Sequence, residues 1–170
     1  MYGSNGIKAT STIAPIFGSS NNDDTTISTS SYYKLVNRNS GKVLEVYEHS
    51  TSDGGKLAQW SDLGNPNQQW KFTSTSDGYY KITNRNSGKI ADVTGKSLND
   101  GTSVIQYTDN GGTNQQWKLV SNGDGYYKIV NRNSGKVLEV LAKSKSDGAD
   151  IVQWTDNSGS NQQWKLVKVN

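Results

Sequence analysis

Asn67-Gln68-Gln69-Trp70, Asn114-Gln115-Gln116-Trp117 and Asn161-Gln162-Gln163-Trp164 stand 47 residues apart, one from the next. Self-similarity at a fixed period of this size marks a repeat architecture, in which each unit is one supersecondary motif that cannot bury its apolar face alone. Upstream of each copy a second tag keeps the same step: Asn37-Arg38-Asn39-Ser40-Gly41-Lys42 returns as Asn84 to Lys89 and as Asn131 to Lys136. No insertion or deletion separates the copies. The repeats therefore run over 32–78, 79–125 and 126–170 within a domain of residues 31–170. A leader over 1–30, rich in Ser, Thr, Asn and Gly, precedes them.

The chain has 170 residues, the size of one ordinary domain. Only 31% of them are hydrophobic and the mean hydropathy is −0.78, so the core must be small and regular. A closed sheet suits that, because closure leaves no exposed edge. The formal charge of +3 comes from 18 basic and 15 acidic residues dispersed among one another, a weak basis for nucleic acid as a partner. There is no cysteine, which removes disulfides and thiolate metal sites. No apolar run is long enough to insert into a membrane, and the leader lacks the basic start and apolar core of a signal peptide. The leader reads as a disordered tail or linker. Alternatively Ile13, Ile16 and Phe17 of its apolar island dock on the repeats or are the end of a neighbouring domain.

Within each repeat, short apolar-alternating runs separated by turn clusters predict four strands, hence twelve in all and an all-β fold. The first carries Tyr33 and Leu35, and the turn Asn39-Ser40-Gly41-Lys42 follows. The second is Val43-Leu44-Glu45-Val46, with copies from Ile90 and Val137. If Leu44 and Val46 face the core, Glu45, Asp92 and Glu139 face out between core residues. The third strand ends in Trp60, Tyr107 or Trp154, which alternation also points outward; a phase one residue off would turn these rings into a core layer. The fourth holds Trp70-Lys71-Phe72 and its copies, whose tryptophans read as core. Helix signals are absent.

These residues carry a resemblance. Three Gln-x-Trp motifs in register, each with Gly-Lys-x-x-acid-Val upstream, resemble the ricin B-type β-trefoil lectins, grouped also as family 13 carbohydrate-binding modules. The likeness covers Tyr32 to Asn170. It implies a β-trefoil with pseudo-threefold symmetry, a six-stranded barrel capped by three hairpins. It also implies one shallow sugar pocket per repeat, made by an acid on the second strand, a ring on the third and the Asn before Gln-x-Trp. The matching positions are Glu45, Trp60 and Asn67, then Asp92, Tyr107 and Asn114, then Glu139, Trp154 and Asn161. Gln68, Gln115 and Gln162 would support the pockets from behind. Such a set suits a neutral sugar, since a carboxylate accepts bonds from hydroxyls and a ring covers the C–H face.

Three departures bear on the implied sites. Glu45 and Glu139 are a methylene longer than the family's usual Asp, which only Asp92 keeps, and this ranks the second repeat first. Ala58, Ile105 and Val152 stand where relatives often have a polar residue. Val43 with Asp62, Ile90 with Asp109 and Val137 with Asp156 replace a cysteine pair that staples many relatives.

Catalysis is disfavoured. The lone His49 has no counterpart, no nucleophile context exists, and the three acids are symmetry mates in separate repeats rather than a pair flanking one bond. Asp53, Asp100 and Asp147 before Gly fit turn chemistry better than a calcium loop. Arg38, Arg85 and Arg132 form a dispersed basic decoration. The expectation is a secreted, multivalent, non-catalytic carbohydrate-binding module with no cofactor and no metal. It would be monomeric, a free lectin or tethered to a glycoside hydrolase, with galactose-type or xylan and arabinan-type glycans as partners. The alternative is a trefoil for protein contacts, such as a protease inhibitor or toxin-assembly subunit.

Overall fold

The computed structural model describes residues 27–169. The expected docking of Ile13, Ile16 and Phe17 lies outside them. Twelve strands follow in order: β1 (Tyr32–Asn37), β2 (Val43–Val46), β3 (Leu57–Trp60), β4 (Trp70–Ser74), β5 (Tyr79–Asn84) and β6 (Ile90–Val93) form the first half. The second half is β7 (Val104–Tyr107), β8 (Trp117–Ser121), β9 (Tyr127–Asn131), β10 (Val137–Val140), β11 (Ile151–Trp154) and β12 (Trp164–Val169). Six three-residue 3-10 turns lie between them, two per repeat, which the strand reading did not anticipate.

Strands β1, β4, β5, β8, β9 and β12 pair antiparallel in a ring. The ring closes where β12 lies along β1, in register from Trp164 opposite Asn37 to Val169 opposite Tyr32. Hairpins β2–β3, β6–β7 and β10–β11 each hang on this barrel by one pairing, such as Val36 with Val43. The fold is a β-trefoil.

The alternation expected of β1 is observed, with Tyr33, Leu35 and Asn37 buried. In the hairpins it disappears: β2, β6 and β10 are buried at all four positions. One face meets the core and the other is covered by the Gln-x-Trp turns. Trp70, Trp117 and Trp164 have no exposed surface. Each indole N–H donates to a carbonyl on the second strand of its own repeat, at 3.0 Å, to Leu44, Ala91 and Leu138. A buried indole needs such an acceptor. Ile27 packs against the core, and the Ser28 amide donates to the Tyr33 hydroxyl, so ordered packing reaches into the end of the leader.

Each repeat also grips the one before it, cyclically. Gln106, wholly buried, donates from Nε2 to the carbonyls of Ser50 and Ser52 at 2.9 Å and accepts from the Ser87 hydroxyl at 2.6 Å. Gln59 reaches Ser144 and Ser146 in the same way, and Gln153 reaches Ser97 and Asn99. The arginines of the second tag do not form a free basic surface. Arg38 stacks on Tyr126, Arg85 on Tyr32 and Arg132 on Tyr79, at 4.3, 4.3 and 4.5 Å, while each donates to a Gln side chain.

After β2, β6 and β10 the chain enters the left-handed region at Glu48 and His49, Gly95 and Lys96, and Ala142 and Lys143. A Cβ in this region costs about 1–2 kcal/mol, and Gly95 avoids it in the second repeat. Ala142→Gly should therefore stabilise the protein by up to about 1 kcal/mol, after about 0.5–1 kcal/mol is returned through the freer unfolded chain. A thermal melt is the check, where about 1 kcal/mol raises Tm by roughly 2–4 °C in a chain of this size.

Candidate functional site

Each hairpin displays an acid and, diagonally across on its partner strand, a ring. Glu45 faces Ala58 and Trp60 faces Val43; Asp92 faces Ile105 and Tyr107 faces Ile90; Glu139 faces Val152 and Trp154 faces Val137. Diagonal neighbours of this kind lie roughly 7–8 Å apart, the spacing of two walls around one pyranose. In every repeat acid and ring line a common cleft, of about 230, 300 and 280 Å³ in chain order. Small-molecule sites run from roughly 300 to 1,000 Å³, so each cleft is suited to one sugar ring rather than an extended chain.

The rings stand as alternation placed them. Tyr107 is 39% exposed, and Trp60 and Trp154 are half-buried. The two indoles lean on the neighbouring repeat: a Cβ on Gly148 or Gly101 would come within 3.5 Å of them, whereas nothing lies that near Gly54 beside the smaller Tyr107. Asp147, Asp53 and Asp100, one residue earlier, do more than make a turn. Each accepts both the backbone N–H and the hydroxyl of the residue after the ring, at Ser61, Thr108 and Thr155. The Asp-Gly loop of one repeat thus buttresses the ring of the next.

The acids differ from expectation in one respect. They do leave the core face, but each is only 5% exposed and sits at the cleft floor. Gln68 Nε2 donates to Glu45 at 3.1 Å, Gln115 to Asp92 at 2.9 Å and Gln162 to Glu139 at 2.9 Å. The glutamines thus lie behind the acids and hold their carboxylates. Burial raises all three carboxyls above their ordinary range, and the glutamine bonds offset part of that rise.

The sign of the pH effect follows. Any ligand whose hydroxyls donate to these carboxylates needs them ionised, so its binding should weaken on acidification and do so at a higher pH than for ordinary Asp or Glu, at about 3.9 and 4.3. For the fold the sign is opposite. A carboxyl with a raised folded pKa contributes stability below its unfolded pKa and loses that contribution as pH rises through the folded value. Affinity measured by titration calorimetry from neutral to acid pH, beside melts over the same range, checks both.

Asn67, Asn114 and Asn161 are more committed than the resemblance implied. Their amide nitrogens donate to the carbonyls of Val46, Val93 and Val140 at 2.9–3.0 Å, tying the turn to the second strand. Asn114 makes a further 3.2 Å bond to Asp92. Their Oδ1 atoms are buried without a partner. Asn114 and Asn161 still line their clefts, whereas Asn67 does not.

The outer walls were missed by the sequence reading. Tyr47, Glu48, His49, Leu63 and Asn65 complete the first cleft. Thr94, Gly95, Lys96 and Asn110 complete the second, and Leu141, Ala142, Lys143 and Asn157 the third. These are the positions at which the repeats diverge, so no tag marked them. Among the described residues no group of three or more His, Cys, Asp or Glu could hold a metal ion.

A threefold barrel with a cleft on each of its three hairpins has the architecture of a β-trefoil lectin domain. The chain belongs to the family described as ricin-type β-trefoil lectin domain-like, whose model matches residues 20–107 and 108–170. It is similar to the designed threefold-symmetric protein ThreeFoil, with 54% identity and a TM-score of 0.80 over 81% of this chain and 99% of that one. It is also similar to the exo-β-1,3-galactanase 1,3Gal43A of Clostridium thermocellum, with 49% identity and a TM-score of 0.82 over 85% of this chain. Only 31% of the galactanase chain is spanned. The ricin B-like lectin of Macrolepiota procera, solved in complex with lactose, shares 19% identity and the fold, with a TM-score of 0.75 over 85% of this chain and 100% of that one. A comparison with curated proteins found no match.

Proposed function

We propose that the protein is a non-catalytic carbohydrate-binding module with one shallow site per repeat, formed by Glu45 and Trp60, Asp92 and Tyr107, and Glu139 and Trp154. The observation that supports this reading most is the convergence of acid and ring on a cleft in all three repeats. A hydroxyl donates to the carboxylate held by Gln68, Gln115 or Gln162, and the apolar sugar face lies on the ring. Galactose-type residues or xylan and arabinan-type chains are the ligands. In this reading the module is secreted and attached to a glycan-degrading enzyme, to which it supplies substrate proximity; a galactanase contains a region similar to it.

Open sites of this size bind weakly, and a Kd of about 1 mM corresponds to only about −4 kcal/mol. Three on one monomeric body gain through effective concentration when the ligand is a polymer. A glycan array identifies the sugar, and titration of the hit should change the tryptophan emission through Trp60 or Trp154. Tyr107→Ala should lower affinity for a polymer several-fold through loss of one site while leaving the melt nearly unchanged, because the ring is exposed. No response to any array member by a folded protein overturns the reading.

A further inference from the structure

Acid and ring group the first repeat with the third, but the cleft walls group the second with the third. Lys96 and Lys143 occupy equivalent places, where the first repeat has His49. Each lysine lies across a glycine: Cε is 3.6 Å from where a Cβ on Gly112 would stand, and 3.7 Å for Lys143 over Gly159. In the first repeat Asn65 stands at that glycine position and lines the cleft together with His49. The exchange of Lys-Gly for His-Asn is thus a paired change at one wall.

The lysine backbones are held in place, and each side-chain charge acts through space on the acid at its cleft floor, Lys96 on Asp92 and Lys143 on Glu139, offsetting a little of the burial that raises those carboxyls. The carbonyl of left-handed Lys96 accepts from Asn133 at 3.1 Å and that of Lys143 from Asn39 at 3.0 Å. Both asparagines are in turn fixed by the hydroxyls of Thr113 and Ser160. In the first repeat the contact from Asn86 to His49 stretches to 3.4 Å, and Pro66 offers no hydroxyl. Neither ammonium has an ion-pair or hydrogen-bond partner among the described residues, although lysines 34, 42, 56, 81, 89, 128 and 136 all do. Beside each stands an asparagine, Asn110 or Asn157, whose oxygen accepts a backbone N–H and whose amide nitrogen donates to nothing described. The first cleft has Leu63 there and adds Glu48.

We infer that the second and third clefts select an acidic sugar, a hexuronate whose carboxylate meets Lys96 with Asn110, or Lys143 with Asn157, while the first takes only neutral sugars. The inference rests on the carbohydrate-binding reading above and adds the charge of the ligand. An ammonium and an amide N–H₂ supply donors that a neutral pyranose does not require and that a carboxylate does. The buried acid at the floor keeps its part, accepting ring hydroxyls.

Affinities of the full chain for the methyl glycosides of galactose and galacturonic acid, and of glucose and glucuronic acid, test this by calorimetry, with amide NMR shifts to locate binding. The expected result is that one uronate binds about three- to tenfold tighter than its neutral mate at low salt, the range of an exposed to partly desolvated ion pair. Shifts should fall in the second and third repeats. The ratio should drop to about one in a Lys96→Met, Lys143→Met double variant, which removes only surface charge, and persist in the Lys→Arg pair. Replacing His49→Lys, Leu63→Asn and Asn65→Gly together should extend uronate shifts to the first repeat. Tighter or equal binding of the neutral sugars, or a preference that survives both methionines, overturns the inference alone. Failure of all four glycosides overturns the inference alone, because the carbohydrate reading is overturned only by silence of the folded protein across the whole glycan array.

Discussion

Trp117→Ala should cost about 3–5 kcal/mol, the range for truncating a fully buried tryptophan, and leave the protein at the edge of folding. The ring has no exposed surface and its N–H ties β8 to the carbonyl of Ala91 on the hairpin. Removing it opens a cavity in the hydrophobic core and orphans an acceptor. With marginal total stability of roughly 5–15 kcal/mol for a domain, the urea midpoint should fall by a large fraction. Trp154→Ala, at the half-buried ring of the third cleft, is the control and should cost much less. Equal losses from the two would contradict the division of tryptophans into core and cleft.

Gln106→Leu should be nearly as damaging although no hydrophobic atom is lost. The amide joins three groups, the carbonyls of Ser50 and Ser52 and the hydroxyl of Ser87, and each buried polar group left unpaired costs about 1–3 kcal/mol. A total of about 2–4 kcal/mol is expected on that basis, since the less buried carbonyls recover some water. Because the bonds cross from the second repeat to the first, the loss should appear as earlier hydrogen exchange at Ser50 to Gly55 as well as a lower melt. The distinction from Trp117→Ala is informative: one weakens the interior of a repeat, the other the grip between two.

The barrel was legible because its signals are local and repeated. The period of 47 residues, the alternation around Leu35, Ile82 and Ile129, and the tryptophans of Gln-x-Trp all point inward at the same places in each copy. The outward phase of Trp60, Tyr107 and Trp154 followed from the same alternation. Less visible was anything that depends on a second layer. Glu45, Asp92 and Glu139 look solvated on a strand read by itself, and become buried only once the turn carrying Gln68, Gln115 or Gln162 folds over them.

The cross-repeat glutamines were overlooked for a related reason. A polar residue on a short strand reads as surface, yet Gln59, Gln106 and Gln153 recur in register between apolar neighbours, and that recurrence was the available signal. Cleft walls left no such mark, because Tyr47 to His49, Leu63 and Asn65 lie where the copies disagree. Repetition reveals scaffold, and the positions that escape it here are those that line the clefts.

The pairing of β12 with β1 has a consequence for how the molecule can be rearranged. The last strand lies along the first from Trp164 to Val169, so the two ends of the barrel emerge side by side and the ring has no privileged starting point. Joining them with a short linker and cutting instead at the exposed Ser76-Asp77-Gly78 turn should return the same barrel with its repeats renumbered. It also means that a passenger attached before residue 27 and one attached after residue 169 share a single exit. Two fused partners would therefore crowd each other at one mouth of the barrel rather than extend from opposite poles.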